Sequence, residues 1–419
     1  MASSRIRIGC IADDFTGAGD AASFLAAGGL KTLLLIWPHC EGLVPEDYDA
    51  VVVALKSRSV DPALAASESL AALDWLRSVR AEKLYFKYCS TFDSTRSGNI
   101  GPVCDAILEK YHIPYTILCP SLISNHRTVD GGILYVNGTP LSESHMRHHP
   151  LNPMWSSSIK ELMAPQSKYP CFNICQKEYG DIPSLKARIE KLAEEHEHFY
   201  LVPDHSELRH GEIIASLFEA LPFWTGGSGL LGAFSEAHGR RSPQDPEPRG
   251  GLPDKGGRLM IVGSCSDMAK KQVKRWIDSS GKAVMIDRET AFNADRTLPS
   301  VAEEYISDPQ TDLMFYSSGS SAELRREEPS PEASRAMERF MASLARYIYA
   351  GVGAKRLIVA GGETSGAVIT ALGYHAFQVG ASIAPGVPIL LPLGEEGSQI
   401  VLKSGNFGDE DFFLEALAR

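Results

Sequence analysis

Apolar runs only a few residues long, each closed by a small polar or glycine-rich turn and followed by a helix-like stretch, recur along almost the whole chain. RIRIGCIA, ALAALDWLRSV, KLYFKYCS, GPVCDAILEKY and YTILCPS obey this rule in the first half. RLMIVGSCS, AKKQVKRWIDSSG, KAVMID, DLMFYSSG, a predicted helix from Ser334 to Ala350 and RLIVAGGETSG obey it in the second. Short, uniformly apolar strands alternating with amphipathic segments require parallel sheets covered by crossover helices. The fold class is therefore α/β, and a chain of 419 residues exceeds the size of about 250–300 residues at which one core stops growing. We expect two α/β domains with mainly parallel sheets and a ligand cleft between them. The stretch SEAHGRRSPQDPEPRGGLPDKGGR, Ser235 to Arg258, concentrates proline, glycine and charge without apolar periodicity, as a boundary does. The expected division is a domain over 1–236, a linker over 237–257 and a domain over 258–419.

A net charge of -11 gives no general basic surface for nucleic acid or anionic lipid, so a small-molecule partner fits better. The opening MASSRIRIGCIADDFTG has its apolar run broken by Asp13 and Asp14, unlike a signal peptide. No stretch approaches the about 18 uninterrupted apolar residues of a membrane span. A cytoplasmic location with reduced thiols is expected, since the eight cysteines lack any repeated CxxC spacing. His145, His148 and His149 crowd ESHMRHHPLNP, yet proline-rich surroundings without cysteine or acidic ligands read as a loop near the active cleft rather than a metal site.

Ligands of open α/β sheets bind beyond the carboxyl ends of the strands, which singles out five turns. The first carries Asp13 and Asp14 before the helix-like AASFLAAGG. Adjacent carboxylates there can hold hydroxyls, position Mg²⁺ or accept the proton of an attacking hydroxyl, and each can equally cap the helix. Thr16 to Asp20 is similar to the anion-hole signature of ribokinase-type sugar kinases, which makes Asp20 a second candidate base. The second turn runs from Lys87, Tyr88, Cys89 and Ser90 to Gly101. Its lysine, hydroxyls and glycine turns suit a carboxylate with vicinal hydroxyls, and Arg58 after AVVVAL can add a bidentate clamp.

Ser264 and Ser266, after RLMIV, open a helix whose free amides can take phosphate oxygens. Gly361, Gly362, Glu363 and Thr364, after RLIVA, repeat that design with two glycines for close backbone approach. Lys403 and Gly405 close the chain with a cation, expected to help neutralise a triphosphate, and a glycine turn. None of these is a Walker A loop, nor is there a protein-kinase signature set. No GxGxxG follows a strand with an acidic residue about 20 positions on, which argues against a nicotinamide-dependent sugar-acid dehydrogenase.

In order along the chain, ADDFTGAGDAA, KYCSTFDST with GNIGPV, VNGTPLSESHMRHHPLNPM, TGGSGL, GGETSG and KSGNFG resemble the four-carbon acid sugar kinase family over nearly its whole length. The resemblance implies an N-terminal acid-sugar domain, a C-terminal nucleotide domain and phosphoryl transfer from ATP, with Mg²⁺, to a terminal hydroxyl. Carried over by motif, the acid would meet Asp14 or Asp13, Arg58, Lys87, Tyr88, Cys89 and Ser90. ATP would meet Ser264, Gly361, Gly362, Glu363, Thr364 and Gly405. CSTFDST and HPLNPM are similar to the branch acting on 3-oxo-tetronates, whereas CPSLISNHRTVD departs from the aromatic and proline-containing loop of that branch. Threonate, erythronate or a branched oxo-sugar acid stay open as substrates. A sensor without catalysis, the ligands of Mg²⁺ and assembly as a homo-oligomer stay open as well.

Overall fold

Every residue of Ile8–Ala12 is buried in the strand it forms, β1, because a run apolar on both faces belongs in a sheet covered on both sides. The computed structural model describes residues 6–418 apart from 41, 44, 46, 149–151, 240–256, 309, 318–329, 352–353 and 396. The chain divides into two units, 1–245 and 246–419. That division, like most of the expected linker 237–257, lies outside the described residues. The helix Ser228–His238 runs into the start of the linker segment.

In the first unit β1 is followed by β2 (Thr32–Ile36), β3 (Ala50–Ala54), β4 (Lys83–Lys87) and β5 (Tyr115–Cys119). A small antiparallel sheet comes next, built from β6 (Arg127–Asp130), β7 (Ile133–Val136) and β8 (Thr139–Pro140). Three more strands, β9 (Cys171–Ile174), β10 (Phe199–Pro203) and β11 (Phe223–Gly226), complete the main sheet. Its order is β2-β3-β1-β4-β11-β5-β10-β9, with every pairing parallel. Helix Phe15–Ala27 carries the chain outward from β1 to β2, and helix Pro62–Ser78 returns it past β1 to β4. Winding thus reverses between β1 and β4, and their carboxyl ends form the kind of crevice where open α/β sheets bind ligands.

The second unit uses the same device. Its strands are β12 (Arg258–Val262), β13 (Lys282–Ile286), β14 (Leu313–Ser317), β15 (Arg356–Ala360), β16 (Ala376–Ala384), β17 (Val387–Pro392) and β18 (Gln399–Lys403). They lie in the order β13-β14-β12-β15-β18-β17-β16. The first five are parallel, and β17 and β16 add an antiparallel edge. Here the winding reverses between β12 and β15. The helix expected over 334–350 begins earlier, at Pro331, where Ser330 caps it, and its last turn from Arg346 to Ala350 widens to a π-helix.

His145–His148 form a single 3-10 turn, while His149 lies outside the described residues. Among the described residues no group of three or more His, Cys, Asp or Glu is placed to hold a metal ion, and no helix is long and apolar enough to cross a membrane.

The start of helix Ile100–Tyr111 rests on Gln166, whose side-chain oxygen accepts from Ser94 Oγ at 2.9 Å and from the Gly101 amide at 3.3 Å. A Cβ on Gly101 would stand 2.4 Å from the Gln166 carbonyl oxygen. Gly101→Val must push the helix off this support, and overpacking of that kind costs about 1–3 kcal/mol. We expect a lower urea midpoint at an unchanged m-value; an unaltered midpoint would show that the contact bears no load.

Candidate functional site

Asp14 ends the turn after β1 with extended backbone and caps helix Phe15–Ala27, its Oδ1 accepting from the Gly17 amide at 2.6 Å. Thr16 Oγ1 donates to Oδ2 at 3.2 Å. The same Oδ2 lies 2.9 Å from Nη1 of Arg58. Arg58 also grips Asp13, with Nε 2.9 Å from Oδ2 and Nη2 2.7 Å from Oδ1. One guanidinium therefore spans two adjacent carboxylates, which could not otherwise sit side by side.

Arg58 is itself held from below. The Asp13 carbonyl accepts the amides of Ser57 and Arg58, and Asn99 Nδ2 donates to the carbonyls of Ser57, Arg58 and Val60 at 2.7, 3.2 and 2.9 Å. At the end of β4, Lys87 Nζ stands 3.3 Å from Asp20 Oδ2, which also accepts from Ser228 Oγ at 2.7 Å. Asp20 Oδ1 is buried with no hydrogen-bond partner among the described residues. A Cβ at Gly17 would fall 2.2 Å from Asp14 Oδ1 and 2.9 Å from Lys87 Nζ, so glycine lets the helix start, the carboxylate and the ammonium share one place.

The three candidate bases differ in environment. Burial raises the Asp13 carboxyl against the pull of Arg58, and burial likewise raises Asp20 against Lys87 and Ser228. Burial also pushes Asp14 upward, but Arg58, Lys87, the Gly17 amide and the Thr16 hydroxyl together outweigh it and hold it below the ordinary carboxylate range. The Asp14 side chain is 23% exposed, against 6% for Asp13 and 4% for Asp20. Asp14 is the most exposed of the three carboxyls and the one held below the ordinary carboxylate range.

Of the other expected acid-binding residues, Tyr88 turns into the core. Its hydroxyl lies 3.1 Å from Thr225 Oγ1 and its ring stands edge-on to Phe86 and Phe92. Cys89, its thiol pushed up by burial although Arg58 and Lys87 pull it down, lies 3.0 Å from Thr91 Oγ1. Ser90 is half-buried on the same turn. Sequence reasoning did not single out Asn99 or Ser228. Asn99 stands at the N-cap of helix Ile100–Tyr111, yet its side chain makes no capping bond; Ser228 sits inside TGGSGL, to which the sequence attached no role.

In the second unit three turns converge. Gly361 has φ 125° and starts helix Gly362–Leu372 without a side-chain cap, so its first-turn amides are available to an anion. A Cβ on Gly263 would lie 1.9 Å from Thr364 Oγ1, and one on Gly405 2.1 Å from Ser264 Oγ. The amides of Gly263 and Ser264 both donate to the Ala360 carbonyl, and that of Gly361 to the Lys403 carbonyl. Ser264, Gly361, Thr364 and Gly405 are thus neighbours, with Gly362 and Glu363 exposed on the first helical turn. Lys403 does not reach outward to a triphosphate as expected. It is fully buried, donates to the carbonyls of Ser404 and Gly405 at 2.8 and 2.9 Å and lies over the Phe412 ring. Its task is to shape the glycine turn from within.

A turn of paired carboxylates at one switch point and a cradle of amides and hydroxyls at another define a two-part, small-molecule enzyme of the α/β class. Two family models match the chain, a sugar-binding N-terminal domain over residues 8–234 and a nucleotide-binding C-terminal domain over residues 259–413. The chain belongs to this family, the four-carbon acid sugar kinases that its motifs resemble. A 3-oxo-tetronate kinase of Brucella melitensis is 40% identical over 98% of this chain and 95% of that protein. One of Pseudomonas fluorescens is 37% identical over 100% of this chain and 98% of that protein. A crystal structure from Salmonella typhimurium LT2, described provisionally as a tRNA synthase, superposes with a TM-score of 0.85 at 38% identity, covering 98% of each chain.

Burial pushes the Lys403 amine down to about 7 from an ordinary value of 10.5. Between those values the unfolded chain holds a proton that the folded chain lacks, so this residue makes stability rise with pH there and imposes its full penalty below about 7. Lys403→Met removes the group, and the unfolding free energy of the parent relative to the variant should increase from about pH 7 to about pH 10. A difference independent of pH would mean that Lys403 titrates normally.

Proposed function

We propose that this chain is an ATP-dependent kinase that phosphorylates the terminal hydroxyl of a four-carbon sugar acid, a 3-oxo-tetronate. Residues 1–236 bind the acid and residues 258–419 the nucleotide, with 237–257 as the linker; working on ATP, the enzyme is cytoplasmic. The observation that carries this reading is the ionised, accessible Asp14 at the β1/β4 switch point, flanked by Arg58 and Lys87. The names of the relatives support the substrate. A tRNA-directed activity is the weaker reading, because a net charge of -11 offers no general basic surface to a polyanion.

Phosphoryl transfer needs positioning and charge stabilisation more than covalent help. Asp14 accepts a hydrogen bond from the substrate hydroxyl and takes its proton as the oxygen attacks the γ-phosphorus. The new O–P bond forms as the bond to the β-phosphate oxygen breaks, and ADP leaves. Arg58 and Asp13 keep Asp14 in place, and Lys87 adds positive charge beside it. The first-turn amides at Gly362 and Glu363, with the hydroxyls of Ser264 and Thr364, take phosphate oxygens. Mg²⁺ binds with few protein carboxylates and mostly to substrate phosphates, which fits a site with no preformed acidic cage among the described residues. When bound it neutralises phosphate charge, and Glu363 on the exposed first turn is the carboxylate that would meet it.

A coupled ADP-release assay over 3-oxo-tetronates, threonate, erythronate and branched oxo-sugar acids should show turnover on 3-oxo-tetronates above the rest. Absence of ADP release with every acid would sink the reading. Asp14→Asn keeps the cap but loses the proton acceptor, so kcat should fall by about 10² to 10⁴ while the thermal midpoint and ATP affinity persist. A loss confined to KM for the acid would make Asp14 a binding group only, and full activity would move the catalytic centre elsewhere.

A further inference from the structure

An acid substrate brings a carboxylate, and the two cations at the β1/β4 switch point are already engaged. Nε and Nη2 of Arg58 lie on Asp13 and Nη1 on Asp14, so a substrate carboxylate placed there would face two like charges. The Lys87 ammonium is paired with Asp20. Building on the acid-kinase reading above, we infer that Arg127 is the residue that recognises the substrate carboxylate and sets the preference for acids over uncharged sugars.

Arg127 opens β6, just beyond the loop that leaves the carboxyl end of β5. The loop is fixed by paired backbone bonds, Leu122 amide to Arg127 carbonyl at 2.9 Å and Arg127 amide to Leu122 carbonyl at 3.0 Å. Its beginning packs on the TGGSGL turn so tightly that Cβ atoms at Gly227 and Gly229 would stand 2.3 and 2.7 Å from the carbonyl oxygens of Pro120 and Ser121. Ser228, between those glycines, holds the Asp20 that pairs with Lys87. Since β5 adjoins β11 and β11 adjoins β4 in one parallel sheet, the Arg127 loop shares the sheet edge that carries Lys87. The Arg127 guanidinium lies within electrostatic range of Cys89, which in turn lies within that range of Arg58 and Lys87.

The guanidinium itself is incomplete. Nη1 donates to the Asn125 carbonyl, but Nε is enclosed with no hydrogen-bond partner among the described residues, and no carboxylate there pairs with the group. A guanidinium stays charged even when burial lowers its affinity for the proton, and its planar fork matches a carboxylate at two points. An enclosed, unpaired N–H is unfavourable unless a ligand completes it. A carboxylate does so, and an uncharged carbonyl or hydroxyl does so poorly. The segment CPSLISNHRTVD, where this chain departs from the loop of its resembling branch, is the segment that delivers Arg127.

The test compares the full-length parent with Arg127→Gln and Arg127→Lys on a 3-oxo-tetronate and on the uncharged four-carbon ketose that has the same terminal hydroxyl. In Arg127→Gln, KM for the acid should rise on the order of 10²-fold, the scale of stripping one partner from a buried charged pair. KM for ATP, kcat/KM for the ketose and the thermal midpoint should hold, and Arg127→Lys should restore part of the acid preference. An unchanged KM for the acid, or an equal fall for acid and ketose, would overturn the inference while leaving the kinase reading intact. So would a parent enzyme that uses the ketose as well as the acid, a result that requires no variant to fold. A parent that phosphorylates no acid would overturn the kinase reading, and this inference with it.

Discussion

Two carboxylates on consecutive residues repel each other, and the first unit is organised around the guanidinium that reconciles them. Arg58 reaches Asp13 with two nitrogens and Asp14 with the third. Asp13 becomes the buried anchor and Asp14 the accessible group, a division of labour between neighbours that are identical in chemistry. The arrangement depends on the chain several strands away, since Asn99 holds the three carbonyls around Arg58. It depends on Gly17 as well, because any side chain there would collide with both Asp14 and Lys87.

The second unit is built on close approach rather than on charge. Gly263 against Thr364, and Gly405 against Ser264, bring three turns within contact of one another, so that amides and hydroxyls converge where bulkier residues would hold them apart. Lys403 serves this packing. An ammonium in a dry site is costly, and the lysine answers by turning to its own loop carbonyls and to the Phe412 ring. A cation that reads as a ligand for phosphate thereby works as an internal brace.

Capping and the proposed catalytic role are not rivals at Asp14. The carboxylate accepts from the Gly17 amide as an ordinary cap does, and the same bond helps keep it ionised and oriented. A helix start is a convenient place for such a residue, because the amides that must be satisfied in any case also lower the proton affinity of whatever satisfies them.

The alternation of apolar runs and helical stretches determined the α/β class, the parallel sheets and the turns that matter, because burial on both faces leaves a local signature in each strand. It also determined the group of residues around Asp13 and Asp14 and the glycine turns at Gly361 and Gly405, since strand ends are legible one segment at a time. Which of Asp13, Asp14 and Asp20 stays accessible was decided by tertiary structure, through partners 45 residues away at Arg58 and 208 away at Ser228. Tyr88 faces the core and Lys403 its own loop for the same reason: the side a side chain takes is set by what packs against it. Arg127 lies in CPSLISNHRTVD, which was legible only as a departure from the family's pattern, and only the packing of its loop on the TGGSGL turn brings it to the sheet edge that carries Lys87.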